Sequence, residues 1–337
     1  CLRAGCRFFS GYPITPQTEI LEYLCWRMDE VGGVCVQTES ELAGVNMLFG
    51  AAAAGARALT TTAGPGFSLK QEGISYLCSS DLPAVIVDVQ RIGCGLGDIF
   101  MGQGDYWQLT RGGGHGDYHT LVLAPASVQE SVELASEAFD LAEKYRHPVI
   151  MATDATIGQM MEPVELPEMR EHDMDKFDWA VRPRCEGEEQ RAIWNRYWDW
   201  EDGGRKYPEY VLNKYTEMEE NEQRWENFYT DDADIVIVAY GTSSRIAKSA
   251  VLRARKEGIK VGLLRPITLW PYPKNAFDQL PHVKAFLDAE MNILGQMKDD
   301  IILADKNRRP VEFFGSYWDP INEFELAAKA REMAERY

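Results

Sequence analysis

Two short apolar runs constrain the fold of this chain more than any other feature. Residues 84–89 and 235–239 are apolar at almost every position, which is typical of strands buried on both faces of a parallel sheet. They lie among segments that alternate between strand and helix, such as the amphipathic run 128–145 and the strand 149–152 that follows it. This repeated order predicts an α/β fold built on parallel sheets.

The chain is long enough for two hydrophobic cores. It has 337 residues, of which 45% are hydrophobic, and single cores stop growing at about 250–300 residues. We predict one α/β domain over residues 1–165 and a second over residues 233–337. Residues 166–232 are polar and rich in aromatic side chains, and we interpret them as a linker with helices near 190–200 and 212–227.

Charge and hydropathy argue against a nucleic-acid partner and against a membrane-spanning helix. The formal net charge is -18, and a surface this acidic repels phosphate backbones, so we expect no nucleic-acid partner. The sequence holds no apolar run of about 18 residues, so we expect no membrane-spanning helix. Residues 1–6 carry neither an initiator Met nor a signal-peptide pattern, and we expect that a short N-terminal piece is missing.

The cysteines predict neither a disulfide framework nor a metal cluster. There are 7 of them, an odd number, and they are scattered along the chain without a Cys-x-x-Cys pair. An iron–sulfur cluster needs about four thiolates, often closely spaced, so we expect none on this chain. We expect all seven to be buried, reduced thiols in a reducing cytoplasm.

A rigid loop follows the first predicted strand, residues 7–10. In the run Gly11-Tyr12-Pro13-Ile14-Thr15-Pro16, each proline fixes its own φ and holds its predecessor extended. Open α/β sheets bind ligands at the carboxyl ends of their strands, so Thr15 could face a ligand there. The alternative, which the residues alone favour, is a helix start capped by Thr15 with Pro16 as its first residue.

Two carboxylates, Glu39 and Glu41, stand where an apolar helix over residues 41–54 is predicted to begin. A helix that is apolar on nearly all sides is buried. The helix dipole stabilises carboxylates at this end, and a carboxylate held in a buried place can also transfer protons. The residues leave helix capping and proton transfer both open.

A glycine turn and an arginine complete the candidate site. The run Gly64-Pro65-Gly66-Phe67 lets the backbone approach a ligand closely, although it lacks the Lys-Ser or Lys-Thr of a Walker loop. Arg91 follows the strand 84–89 and suits a carboxylate contact, with an ordinary salt bridge as the alternative. His115 and His119 are four residues apart in a Gly-rich loop, and we do not expect them to bind zinc.

In this order, the motifs resemble the pyrimidine-binding, or alpha-type, subunit of the 2-oxoacid:ferredoxin oxidoreductases. The resemblance rests on residues 11–16, 39–41, 64–68, 91, 113–117, 241–243, 264–273 and 290–296. It implies a thiamine-diphosphate pyrimidine-binding domain over residues 1–165 and a transketolase C-terminal-like domain over residues 233–337.

The resemblance also implies roles for individual residues. Glu41 matches the glutamate that hydrogen-bonds the aminopyrimidine ring of thiamine diphosphate. Thr15 and Arg91 match positions that receive the substrate carboxylate. The residues that would line the cofactor cleft are Tyr12, Pro13, Ile14, Gly64, Pro65, Gly66 and Phe67.

The implied reaction is the oxidative decarboxylation of a 2-oxoacid, with coenzyme A accepting the acyl group and ferredoxin the electrons. The Gly-Asp-Gly run that holds diphosphate and Mg²⁺ in thiamine enzymes is missing, so a beta-type subunit would hold both. A ferredoxin-like subunit would carry [4Fe-4S] clusters, and a gamma-type subunit would complete the complex.

Gln17 and residues 69–73 and 158–163 are most similar to members that use 2-oxoisovalerate. A 2-oxoglutarate enzyme and a non-catalytic scaffold subunit are the alternatives.

Overall fold

The structure, a computed structural model, describes residues 1–183, 187, 191–198, 202 and 204–337. The strands of the described residues are β1 (Phe8–Gly11), β2 (Val34–Gln37), β3 (Ala58–Thr62), β4 (Ala84–Gln90), β5 (Leu121–Leu123), β6 (Pro148–Asp154), β7 (Trp225–Phe228), β8 (Ile235–Val238), β9 (Val261–Pro266), β10 (Thr268–Trp270), β11 (Ala285–Glu290) and β12 (Val311–Gly315). The α-helices are α1 (Thr18–Arg27), α2 (Glu41–Ala53), α3 (Pro65–Ser79), α4 (Tyr106–Arg111), α5 (Val128–Tyr145), α6 (Ala155–Gln159), α7 (Tyr207–Asn221), α8 (Gly241–Lys256), α9 (Lys274–Asp278), α10 (Lys298–Ala304) and α11 (Glu323–Arg336).

Two sheets form the framework, and the predicted α/β fold is confirmed. The first sheet has the order β10-β5-β6-β4-β3-β1-β2, and its strands β1 to β6 are parallel. The second has the order β12-β11-β8-β9-β7, with β8, β9, β11 and β12 parallel. The apolar runs that predicted the fold are β4 and β8, and every residue of both strands is buried.

One strand from the C-terminal part of the chain joins the first sheet. β10 pairs antiparallel with β5, so residues 268–270 extend a sheet otherwise built from residues 8–154. The side chain of Gln103 makes a second link. It donates to the carbonyl of Tyr240 at 3.0 Å and accepts from the backbone N–H of Met291 at 3.0 Å and from the hydroxyl of Ser243 at 2.6 Å. The two sheets are therefore tied together by backbone pairing and by a buried amide.

The region predicted as a linker contributes regular structure to both parts of the molecule. The predicted helix 212–227 is instead α7, which ends at Asn221, followed by β7, which pairs antiparallel with β9. The prediction carried the helix past its end at Asn221 into residues that form an edge strand. There the backbone of β7 pairs with β9, and Glu226 accepts a hydrogen bond from Nε of Arg265 at 2.8 Å. The predicted helix 190–200 lies partly outside the described residues, and Arg196–Trp198 form a short 3₁₀-helix.

A buried carboxylate anchors this connection to the first sheet. Asp81, which is 1% exposed, accepts from Nζ of Lys214 at 2.8 Å, from Nε of Arg196 at 2.7 Å and from the hydroxyl of Tyr210. These cations hold the pKa of Asp81 below its usual value in spite of burial. Asp81 follows α3 and precedes β4, so the contacts are at the amino end of the sheet, away from the loops that follow the strands.

The cysteine prediction was wrong in two respects. Cys25 of α1 and Cys35 of β2 form a disulfide, because these adjacent elements place their Cα atoms 5.2 Å apart. Cys94 is exposed in the loop after β4 and Cys1 is half-buried, whereas Cys6 and Cys78 are buried as expected. Cys185 lies outside the described residues. None of the described helices is long and apolar enough to cross a membrane.

Candidate functional site

Four neighbouring strands bring the predicted site residues to one edge of the first sheet. β4, β3, β1 and β2 are adjacent and parallel, so their carboxyl ends lie side by side. Thr15 is in the loop after β1, Glu41 is the first residue of the helix after β2, Gly64 is in the turn after β3, and Arg91 directly follows β4. The sheet topology therefore brings together residues that are up to 76 positions apart in sequence.

Arg91 contacts the Thr15 loop directly. Its Nη1 donates to the carbonyl of Thr15 at 2.7 Å, and its Nη2 donates to the carbonyl of Leu96 at 2.6 Å. The side chain is 7% exposed, and its Nε finds no hydrogen-bond partner among the described residues. The arginine is thus fixed by backbone carbonyls rather than by a carboxylate, and the salt bridge considered from the sequence is not formed in the part of the chain that the structure describes.

The side chain of Gln17 ties the loop of residues 12–16 to strand β3. Gln17 is fully buried; its amide donates to the carbonyl of Tyr12 at 2.8 Å and accepts from the hydroxyl of Thr61 in β3. The helix start predicted at Thr15 and Pro16 was wrong, because α1 begins at Thr18, and Gln17 at its N-terminus makes no capping bond. The Thr15–Pro16 bond is cis, and Thr15 itself is exposed at the sheet edge.

Glu41 lies at the buried N-terminus of α2. The cap is Ser40, whose hydroxyl accepts from the backbone N–H of Ala43 at 3.2 Å, so the Glu41 carboxylate is not needed for capping. Glu41 is 6% exposed, whereas Glu39 is exposed. Of the two carboxylates predicted at this helix start, the structure therefore buries only Glu41.

The glycine turn brings α3 against Glu41. Gly64 has φ of 41° and ψ of -106°, a conformation that side chains rarely adopt, and it precedes Pro65, the first residue of α3. A Cβ atom on Gly66 would lie 2.6 Å from Oε1 of Glu41 and 2.3 Å from Oγ1 of Thr62. Gly66 is therefore required for the close approach of this turn to the carboxylate.

Buried polar atoms without partners cluster around the same turn. Within the described residues these atoms are Oγ1 of Thr62, both carboxyl oxygens of Asp88, Nε of Arg91 and Oδ2 of Asp105. Burial and the neighbouring Asp105 raise the pKa of Asp88 well above its usual value. Burial raises the pKa of Asp105 to about 6, against Gln108 and Arg91, which favour its charged form. Buried polar groups are normally hydrogen-bonded, so these atoms mark an unusually polar interior beside the turn.

A family profile identifies the chain. The profile described as pyruvate flavodoxin/ferredoxin oxidoreductase, thiamine diphosphate-binding, matches residues 1–227, which is more than half of the chain. The chain belongs to this family. Residues 233–317 match the pyruvate:ferredoxin oxidoreductase core domain II. The family assignment from the motifs is thereby confirmed, and the chain is an oxidoreductase subunit of the 2-oxoacid:ferredoxin type.

Archaeal proteins resemble the chain over nearly its whole length. It is 48% identical over 335 residues to the ketoisovalerate oxidoreductase subunit VorB of Methanothermobacter thermautotrophicus, covering 98% of this chain and 94% of that protein. It is 36% identical over 342 residues to the 2-oxoglutarate synthase subunit KorA of Methanocaldococcus jannaschii, covering 90% of this chain and 91% of that protein.

Solved structures share the fold. The 2-oxoglutarate:ferredoxin oxidoreductase of Magnetococcus marinus superposes with a TM-score of 0.81 at 24% identity, over 98% of this chain and 63% of that one. This chain thus spans less than two thirds of the length of that chain. A split-gene transketolase superposes with a TM-score of 0.57 at 13% identity, over 98% of this chain and 91% of that one.

The remaining residues implied by the family resemblance have different surroundings. Tyr12 is 36% exposed, and Pro13, Ile14 and Pro65 are partly exposed at the sheet edge, where a ligand could reach them. The ring of Phe67 is 1% exposed and packs in the hydrophobic core, which leaves its backbone to border the turn.

Four buried residues at this edge were not predicted from the sequence: Thr62, Lys70, Asp88 and Asp105. Asp88 is the one charged residue inside the apolar run 84–89, and that interruption was a usable signal. In the described residues no group of three or more His, Cys, Asp or Glu side chains is placed to hold a metal ion.

Proposed function

We propose that this chain is the subunit of a coenzyme A-acylating 2-oxoacid:ferredoxin oxidoreductase that holds the aminopyrimidine end of thiamine diphosphate. The observation that carries the proposal is the convergence of Glu41, Thr15 and Arg91 on one edge of the first sheet, around a turn whose conformation and close packing favour glycine. When bound, thiamine diphosphate supplies the carbon nucleophile and the electron sink for decarboxylation.

The residues present fit the aminopyrimidine ring. The carboxylate of Glu41 is buried and does not cap the helix, so it can hold or move a proton at a ring nitrogen. The turn at Gly66 borders this carboxylate and offers the unpartnered hydroxyl of Thr62. Glu41 is the residue that we assign to proton transfer.

Arg91 and Thr15 are proposed to bind the carboxylate of the 2-oxoacid. Two backbone carbonyls fix the guanidinium, and its Nε has no partner among the described residues, so it can donate to an anion. The Thr15 hydroxyl is on the same loop, 12–16, whose position Arg91 and Gln17 determine. The carboxylate would thus be bound by groups already ordered before the substrate arrives.

We propose 2-oxoisovalerate as the substrate. The 48% identity to a ketoisovalerate oxidoreductase subunit supports this choice over the 36% identity to a 2-oxoglutarate synthase subunit. In addition, residues 12–17, 38–41, 63–67 and 91–105 contain a single basic residue, Arg91. A 2-oxoglutarate enzyme needs a second cation for the distal carboxylate, and on this chain the loops do not supply one.

The rest of the reaction is assigned to partner subunits. We propose that a beta-type subunit binds the diphosphate and Mg²⁺, that a ferredoxin-like subunit carries the [4Fe-4S] clusters, and that a gamma-type subunit completes the complex. Coenzyme A and ferredoxin are the proposed acceptors, and the cytoplasm is the proposed compartment. The subunit names of the relatives support a multi-subunit assembly.

Substitution of Glu41 by Gln in the assembled complex tests the catalytic role. We expect kcat to fall by about 100-fold or more, because glutamine is nearly isosteric but cannot exchange a proton with the cofactor. The matched control is Glu39→Gln, two residues away and exposed, which should keep wild-type turnover. Equal activity of both variants would remove the assignment of Glu41 and favour the scaffold alternative.

A further inference from the structure

Lys70 is a charged residue in a place where charge is costly. It lies on α3, five residues after Pro65, and its side chain is 0% exposed. Burial lowers the pKa of Lys70 to about 8, and Glu41 is the ionisable neighbour that acts against this effect. Lys70 forms no ion pair with the residues that the structure describes, and a buried lysine of this kind destabilises a fold relative to an apolar side chain, so its presence needs a reason.

The contacts of Lys70 join the elements that form the candidate site. Nζ donates to Oγ1 of Thr60 in β3 at 3.0 Å and to the backbone carbonyl of Glu41 at 3.3 Å. The hydroxyl of Thr60 donates in turn to the carbonyl of Ser10 in β1 at 2.6 Å. The hydroxyl of Ser10 donates to the carbonyl of Gly44 in α2 at 2.7 Å. Lys70 thus starts a buried chain of bonds that links α3, β3, β1 and α2.

This chain of bonds fixes the two surfaces that meet at Gly66. One surface is the first turn of α2, where the carbonyl of Glu41 accepts a hydrogen bond from Nζ of Lys70. The other surface is α3, which contains both Gly66 and Lys70. Because a Cβ on Gly66 would be 2.6 Å from Oε1 of Glu41, a small shift of either helix would change how the carboxylate presents to a ligand. An ammonium group is suited to this task, since its three donors can bond several acceptors at once.

We propose that Lys70 is a positioning residue that orients the Glu41 carboxylate toward the aminopyrimidine ring by fixing the first turn of α2 against α3. The inference rests on the function proposed above, because the aminopyrimidine ring is the group that Glu41 is proposed to meet. Lys70 is enclosed by protein and acts through Glu41.

Two variants in the assembled, cofactor-loaded complex separate the effect of the hydrogen bonds of Lys70 from the effect of its charge. Lys70→Met removes all donors while keeping the length and volume of the side chain. Lys70→Gln keeps an N–H₂ donor that can bond Thr60, without a charge. The matched control is Lys214→Met, a lysine whose side chain is 10% exposed and which bonds Asp81 at the other end of the sheet.

The first readout is the circular dichroism band of the iminopyrimidine tautomer of bound thiamine diphosphate, recorded with kcat and KM. We expect Lys70→Met to reduce the amplitude of this band and to lower kcat by about 10-fold or more, with a change of less than about 3-fold in the KM for the 2-oxoacid. Lys70→Gln should recover part of both losses, and Lys214→Met should leave both at the wild-type level. A wild-type band and kcat in Lys70→Met would overturn the proposal.

The second readout needs no cofactor and no activity. A double-mutant cycle of Lys70→Met and Glu41→Gln is measured by urea unfolding of the full chain. Glu41→Gln keeps the backbone carbonyl that Nζ bonds but removes the attraction between the Lys70 ammonium and the Glu41 carboxylate. We therefore expect the two substitutions to be coupled by at least about 5-fold in the unfolding equilibrium constant, and Lys214→Met with Glu41→Gln to be uncoupled.

The two measurements separate this inference from the proposed function. Coupling below about 2-fold would overturn the role of Lys70, whatever the activity of the complex. Coupling in the chain, together with no oxidation of any 2-oxoacid by the complex, would support the interaction between the Lys70 ammonium and the Glu41 carboxylate and reject the function proposed for Glu41.

Discussion

Asp88 and Asp105 are carboxyl groups that the protein keeps beside Arg91 without a full set of hydrogen bonds. The sequence points to Thr15 and Arg91 because each follows a predicted strand and the ends of parallel strands share one edge, and to Glu41 because it begins an apolar helix. It could not locate Lys70 or Asp105, since a charged residue in a helix or loop shows its burial only when the elements pack. At this scale the sequence predicts the residues that follow the strands better than the buried groups packed around them.

The stability of the chain should depend on pH through Asp105. Burial raises the pKa of this carboxyl in the folded state to about 6, whereas in the unfolded chain it loses its proton near the ordinary pKa of 3.8. The folded state therefore binds more protons in this window, and the free energy of unfolding falls as the pH rises through it.

We expect Asp105→Asn, which mimics the neutral form, to remove up to about 3 kcal/mol of this fall between pH 4 and pH 7. Urea unfolding midpoints of wild type and variant at the two pH values measure the effect. The exposed Asp231→Asn is the control and should follow the wild type. A pH dependence of Asp105→Asn equal to that of the wild type would show that Asp105 is already ionised in the folded chain.

At the scale of elements, the helices α2 and α3 determine the site because they meet at Gly66. The order of strands and helices was predicted from apolar runs and periodicity, and β4, β8 and α5 follow it closely. The prediction failed at β7, because a short edge strand directly after a helix has too few residues to show its own period. It also missed how close two helix starts come, since packing distance has no signal in a single sequence.

Gly66→Ala tests the contact between α2 and α3. The added methyl would lie 2.6 Å from Oε1 of Glu41 and 2.3 Å from Oγ1 of Thr62, so either these side chains or α3 must shift. We expect the free energy of unfolding to fall by about 1–3 kcal/mol and the affinity for thiamine diphosphate to fall by about 10-fold or more. Denaturant unfolding and isothermal titration of the complex measure the two effects.

Gly50→Ala is the matched control for this substitution. Gly50 is also helical, on α2, but a Cβ there would meet nothing within 4 Å. Alanine should therefore stabilise the helix by about 0.5–1 kcal/mol and leave cofactor binding unchanged. If Gly66→Ala behaved like Gly50→Ala, the close approach of α3 to Glu41 would be refuted.

At the scale of the whole molecule, the two sheets act together because elements cross between them. The sequence predicted two α/β units, but it gave no indication that β10 would pair with β5 or that Gln103 would bond three residues of the C-terminal part. Long-range pairings of this kind depend on the arrangement of both sheets. They place the loop that follows Arg91 and contains Asp105 against the second sheet.

Gln103→Ala tests the coupling of the two sheets. The substitution leaves the hydroxyl of Ser243, the backbone N–H of Met291 and the carbonyl of Tyr240 without their buried partner. We expect a loss of about 3 kcal/mol in the free energy of unfolding, since each buried unsatisfied group costs about 1–3 kcal/mol. The exposed Gln159→Ala should change it by less than about 0.5 kcal/mol. If Gln103→Ala lowered the free energy of unfolding as little as Gln159→Ala does, the amide of Gln103 would not join the two sheets.

The central claim is that this chain provides the pyrimidine side of a 2-oxoisovalerate-oxidising site. The most direct measurement is dye reduction by the complex that co-purifies with the chain, supplied with coenzyme A, thiamine diphosphate and a panel of 2-oxoacids. The account predicts the highest kcat/KM with 2-oxoisovalerate and at least about 10-fold less with 2-oxoglutarate, because Arg91 is the single basic residue of the four loops. Turnover with 2-oxoglutarate alone would contradict the substrate assignment, and no turnover with any 2-oxoacid in a complex that holds cofactor and clusters would contradict the reaction.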